Sequence, residues 1–152
     1  MKILIIGTVA TGKTTLAKKL SKEYGIKYYE IDSIVHDDNQ NGRKREEEEQ
    51  NEIIKQINKN DNWIIEGVLR SNLVYLLEIS DKIIYLDTPK YKRNIRILLR
   101  FLKQKLKIEK VNYKPDLIML KNMYKWSNQD QNKKEQFYEM LSNYKSKLEI
   151  IK

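Results

Sequence analysis

Gly7, Gly12, Lys13 and Thr14 stand at the spacing G-x-x-x-x-G-K-[ST], with Thr8, Val9, Ala10 and Thr11 between the glycines and Thr15 behind. Each residue type has a task in holding a polyphosphate. The glycines let the backbone turn tightly enough for successive amide hydrogens to converge on phosphate oxygens, and a helix starting at Lys13 turns its positive end toward them. Lys13 is placed to neutralise β and γ phosphates, the Thr14 hydroxyl to hold a bridging Mg2+ ion, and Thr15 to add a phosphate contact. In small kinases a glycine is common where Ala10 sits. If that position takes a positive φ, alanine costs on the order of 1 kcal/mol there.

Such a loop serves GTPases, ATPases and kinases alike, so the choice rests on other residues. The run NKND at Asn58 to Asp61 imitates a guanine-specificity motif, but it closes a helix before the third strand, whereas that motif follows a strand late in the chain. No D-x-x-G segment follows the loop. The donor expected is therefore ATP, with Mg2+.

Acids end the candidate strands: Asp32 just past the second, Glu66 with Gly67 at the third, Asp87 at the fourth. In a parallel sheet the carboxyl ends form the ligand crevice, so these groups are expected near the phosphates. Glu66 suits metal or a substrate proton, and Asp32 suits a substrate hydroxyl or amine, unless either only caps a helix. Arg70, four residues after Glu66, is a clamp for an acceptor phosphate or carboxylate. Arg93, Arg96, Arg100, Lys103 and Lys107 form a basic stripe that suits the charge of a transferring phosphoryl group. Arg93 is grouped with the substrate contacts, and Arg96 and Arg100 with catalysis.

The elements that must position these groups follow from apolar spacing. Lys2 to Ile6, Lys27 to Ile31, Trp63 to Glu66 and Ile83 to Asp87 read as strands, with a possible fifth at Leu148 to Ile151. Helices are expected over Lys13 to Tyr24, Arg45 to Asn58, a short stretch near Asn72 to Glu78, one from Pro115 and a last one through Phe137 to Leu148. Ile95, Leu98, Leu99, Leu102 and Leu106 fall on one helical stripe beside the basic one. Strands alternating with helices predict a three-layer α/β/α P-loop fold over 1–152 as a single domain, with a five-stranded parallel sheet in the order 2-3-1-4-5.

The 152 residues contain no cysteine, which excludes disulfides, thiolate nucleophiles and cysteine-bound metals. No apolar run reaches membrane-spanning length, so a soluble cytoplasmic protein is expected, with no membrane partner. Net charge is uneven: residues 1–89 hold 13 basic against 15 acidic groups, and residues 90–152 hold 17 against 6. The basic half would attract phosphate-bearing partners. A small-molecule phosphate acceptor is the expected partner. Nucleic acid is the second, since Tyr113, Tyr124 and Trp126 form no regular stacking platform.

The order KILIIGTVATGKTTLAKKL, YYEIDSI, WIIEGVLR, then IIYLDTP followed by Arg96 and Arg100 resembles the adenylate-kinase-related P-loop proteins known as DNA topology modulation proteins. The resemblance extends to about Trp126. It implies that Glu66, Gly67 and Arg70 stand where adenylate kinases carry D-G-x-x-R, whose arginine meets the acceptor's phosphate. It also implies that Arg96 and Arg100 are the paired arginines flanking a lid. Two segments depart: the short lid candidate, Lys107 to Lys114, has no arginine, and Ser33 to Arg45, which includes His36, does not match the acceptor region of adenylate kinases. The implied activity is ATP-dependent phosphotransfer to a nucleoside, nucleotide or similar small molecule. The alternative is a DNA-binding regulator that keeps the nucleotide fold.

Overall fold

The structure is a computed structural model that describes residues 1–40, 42–106, 117–132 and 134–152. The lid candidate Lys107 to Lys114, together with Pro115, lies outside these residues. Seven strands are described: β1 (Lys2–Gly7), β2 (Tyr28–Glu30), β3 (His36–Asp37), β4 (Arg43–Lys44), β5 (Trp63–Gly67), β6 (Lys82–Leu86) and β7 (Leu148–Ile151). Five of them form a sheet ordered β2-β5-β1-β6-β7, each neighbouring pair parallel. This departs from the expected numbering only because β3 and β4, which pair with each other in a small antiparallel ribbon, take two places in the chain order.

The central strands are mostly apolar because both faces are covered. Alternate residues of β1 go to opposite sides. Ile3 and Ile5 join Ala17 of helix α1 (Lys13–Tyr24), together with Ile64, Ile84 and Leu86. Leu4 and Ile6 join Ile31, Ile54, Trp63, Leu76 and Leu141. Those residues bring in the short helix α2 (Ile31–Val35), α3 (Glu47–Asn58), α4 (Leu76–Ile79), and α7 (Lys134–Ser142). The result is the three-layer α/β/α P-loop kinase-like fold. The two remaining helices are α5 (Lys90–Lys105) and α6 (Leu117–Asn132).

Several element boundaries shift. Ile31 leaves the second strand to open α2, and α3 begins at Glu47, where Glu46 and Glu49 cap each other reciprocally. The expected helix near Asn72 to Glu78 is a 3-10 turn (Ser71–Leu73) followed by α4. NKND is a helix-ending turn, held by the Asn60 amide on Ile57 O and by Trp63 Nε1 on Asn58 Oδ1.

On α5 the structure adds what the spacing left open, the direction in which the apolar stripe faces. Ile95, Leu98, Leu99, Leu102 and Leu106 are exposed, while Ile97, Phe101 and Arg93 are buried. Arg93 and Arg96 bond to the loop between β1 and α1, and this fixes the rotation of α5 with its leucine-rich stripe outward. Among the described residues no helix is long and apolar enough to cross a membrane.

Candidate nucleotide and acceptor site

Residues 7–12 join the central strand to α1 through a backbone shape that the sequence makes possible. A Cβ at Gly7 would lie 2.8 Å from Leu86 O and 2.9 Å from Thr11 Oγ1, so no larger residue fits there. Gly12, at φ 99°, is the N-cap of α1. Ala10 does take a positive φ, 61°, and so carries the strain of about 1 kcal/mol expected for a left-handed alanine. The 12-residue helix that follows directs its amide end at this concave loop.

Side chains close the loop on itself. Lys13 Nζ donates to Thr8 O at 2.7 Å and Thr11 Oγ1 to the same carbonyl at 3.1 Å. Arg96 Nη1 donates to Thr11 O at 2.7 Å and to Ala10 O at 3.4 Å, and Thr88 Oγ1 to Thr11 O at 3.2 Å. Arg93, 5% exposed, donates to the Thr8 hydroxyl. Three cations therefore rest on oxygens of the loop's own backbone and side chains. Val9 is half-buried, Thr15 exposed on α1, and Arg100 exposed on α5 one turn beyond Arg96. Lys103 is exposed on the same helix, and Lys107 lies outside the described residues.

Glu66 is buried at the end of β5, and Thr14 donates to its Oε1 at 2.5 Å. Burial pushes the Glu66 carboxyl above its usual range, with Glu30 and Asp32 adding to the rise. The Thr14 hydrogen bond and the Lys13 charge partly oppose it. Glu30 sits directly across from Glu66 in the β2–β5 register. Its signal in the sequence was its place at the end of a strand next to Asp32, but strand adjacency is a tertiary fact.

Gly67 acts through packing: a Cβ there would fall 2.6 Å from Ile31 Cβ, so its absence lets α2 approach β5. That approach brings Asp32, exposed on α2, to Arg70 Nη2 at 3.1 Å. The Arg70 Nε is buried with no hydrogen-bond partner among the described residues. An acidic and a basic group thus stand as a pair at the β2 side of the crevice, across β5 from the loop.

Asp87 does not join them. It accepts from Tyr138 OH at 2.6 Å and from Lys134 Nζ at 2.8 Å, both on α7. Burial alone would raise this carboxyl, but the hydrogen bonds from Lys134 and Tyr138 prevail and hold it below its usual range. His36 lies in the ribbon with Nδ1 3.3 Å from Gly42 O, a structural contact. Sequence reasoning missed Arg45, whose Nη1 donates to the carbonyls of Ser33, Ile34 and His36 at 2.7, 3.1 and 2.8 Å and so closes the end of α2.

The donor set fits a Mg2+ nucleotide: a loop too tight for a Cβ at Gly7, cations on its rim, and a hydroxyl beside a carboxylate. Among the described residues no group of three or more His, Asp or Glu side chains is placed to hold a metal ion.

A family model described as an AAA domain matches residues 3–114. No curated protein matches the chain. Among solved structures, the shikimate kinase from Bacteroides thetaiotaomicron is similar with a TM-score of 0.57 at 16% identity, over 90% of this chain and 79% of that one. Deoxyadenosine kinase from M. mycoides with bound dATP is similar with a TM-score of 0.59 at 15% identity, over 99% of this chain and 90% of that one. At these identities the likeness is one of fold.

Proposed function

The chain belongs to the AAA-domain family, and from that membership and the geometry of the site we propose that it is an ATP-dependent phosphotransferase acting on a nucleoside, nucleotide or similar small molecule. The observation that carries this reading is the 2.5 Å bond from Thr14 to Glu66, which puts a metal-holding hydroxyl and a carboxylate at the mouth of the loop. Bound there, Mg2+ would be held by Thr14 and Glu66 and would supply neutralisation of the β and γ phosphates. Lys13 turns from Thr8 O to the phosphates, and Arg96 from Thr11 O, when a ligand oxygen replaces the loop's own. Arg100 follows on the same helix as a further cation for the transferring group.

The acceptor belongs beside Asp32 and Arg70. Asp32 accepts from a hydroxyl or amine, and Arg70 offers its unspent donor to a phosphate or carboxylate. The alternative task for Glu66, in place of holding Mg2+, is to receive the acceptor's proton. The kinases of similar fold support phosphotransfer over a purely mechanical ATPase, as does the resemblance to adenylate-kinase-related topology modulation proteins. A cytoplasmic setting suits an ATP donor.

The test is label transfer from γ-labelled ATP with Mg2+ to a panel of nucleosides, nucleoside monophosphates and small alcohols, with Lys13→Ala as control. Label is expected in one acceptor class and lost in K13A, whose melting temperature stays close to wild type. No transfer to any member, with no stabilisation of the protein by ATP, would sink the proposal.

A further inference from the structure

Arg93 was grouped with the acceptor contacts, and its surroundings point elsewhere. The side chain is 5% exposed and lies on the loop, where it donates to the Thr8 hydroxyl. The carbonyl of that same Thr8 receives Lys13 Nζ at 2.7 Å. Two cations thus meet on one residue, one through its side chain and the other through its backbone. The acceptor-side pair is separate, since Arg70 bonds to Asp32.

Arg93 also has capacity left over. Its Nε is buried with no hydrogen-bond partner, and no carboxylate pairs with it among the described residues. A guanidinium presents five N–H donors and does not lose its proton, so a buried one with unspent donors calls for an anion. Arg96, by comparison, spends its Nη1 on two backbone carbonyls.

We infer that Arg93 is a specificity-determining residue for the donor: it meets the terminal phosphoryl group and selects a nucleoside triphosphate over a diphosphate. The inference rests on the reading of the loop as a nucleotide site. Lys13 of such a loop serves the β and γ phosphates, and Arg93 shares its anchor residue, so the anion that draws Lys13 away from Thr8 O also comes within reach of Arg93. The diphosphate lacks the group that Arg93 addresses.

The experiment is calorimetric titration of β,γ-imido-ATP and ADP, each with Mg2+, into wild type, R93K, R93M and T8V. Wild type is expected to prefer the triphosphate analogue. R93M should weaken that analogue by about 10- to 100-fold, as for a lost charged hydrogen bond, while ADP stays within about threefold. R93K should recover part of the loss. T8V, which removes only the anchor, should keep most of the preference. If R93M does not fold, R93Q carries the same comparison. Equal weakening of both nucleotides by R93M, or no weakening of either, overturns the inference while leaving the nucleotide site standing. Failure of wild type to bind either nucleotide removes the proposed function itself, and this inference with it.

Discussion

The Thr14 hydroxyl and Glu66 Oε1 lie 2.5 Å apart, joining the first turn of α1 to the carboxyl end of β5. Glu66→Gln keeps a hydrogen-bond acceptor for Thr14 but removes the charge that would hold Mg2+ in the proposed site. Loss of a group that holds or orients a metal typically weakens metal affinity about 10- to 100-fold. The Mg2+ concentration needed for half-maximal nucleotide affinity should rise by that factor in E66Q, with the fold retained. An unchanged Mg2+ titration would separate Glu66 from the metal.

The same residue gives a pH signature of stability. Burial, first of all, raises its pKa in the native state, so the native protein binds this proton more tightly than the unfolded chain does. Its stabilising contribution is present in full below the unfolded value and declines as pH rises through the raised native one. Wild type minus E66Q, compared by denaturant unfolding between about pH 4 and pH 8, should show wild type's relative advantage shrinking as pH rises. A difference that grows with pH would contradict the burial argument.

These two tests rely on a site whose near half was legible in the sequence and whose far half was not. Gly7 to Thr14 is a local signal, because spacing along one turn decides which atoms converge, whereas the positive φ of Ala10 entered the sequence reading only as a condition, which the structure meets. The end of β5 that carries Glu66, and the place of Asp32 just past β2, were legible for a related reason: a parallel sheet brings its carboxyl ends to one edge. What each long side chain does there depends on neighbours distant in sequence. Asp87 ends near β6 as expected, but Tyr138 and Lys134, about 50 residues later, claim its oxygens. Periodicity placed the leucines of α5 on one stripe without saying which way it faces. The rotation is set by Arg93 and Arg96 reaching a loop some 85 residues earlier. The β3–β4 ribbon is two residues per strand, too short to show any period, and Arg45 holds it through carbonyls that have no sequence signature.

Gly67→Ala tests the close approach of α2 to β5. The added Cβ would meet Ile31 Cβ at 2.6 Å, and both atoms are fixed to backbone, so neither swings aside. Overpacking of this kind costs about 1–3 kcal/mol. Because α2 also carries Asp32, the shift should loosen the Asp32–Arg70 pair and weaken acceptor binding more than nucleotide binding. A double-mutant cycle with Ile31→Gly, which removes the opposing Cβ itself, gives the sharper check. Ile31 is fully buried, so I31G alone leaves a cavity, yet together the two changes should destabilise less than their sum. Additive effects would mean that the Cβ clash is relieved elsewhere.

Asp87 ties the end of β6 to α7, and its two partners should differ in worth. Tyr138 OH donates at 2.6 Å from a half-buried ring that packs edge-on against Tyr85, whereas Lys134 is 42% exposed and shares its charge with water. Tyr138→Phe should therefore cost about 1 kcal/mol, seen as a drop of roughly 2–4 °C in melting temperature, and Lys134→Met less than that. The Asp87 carboxyl is held below its usual range in the native state, so its stabilising contribution is present above the ordinary carboxylate pKa and lost as pH falls through the lowered native value. Asp87→Asn removes that titration while leaving an acceptor for Tyr138. Stability of wild type relative to D87N should fall on acidification across that window and level off below it. If K134M proves the costlier change, the pair with Lys134 is the stronger tie and Tyr138 serves mainly through its ring.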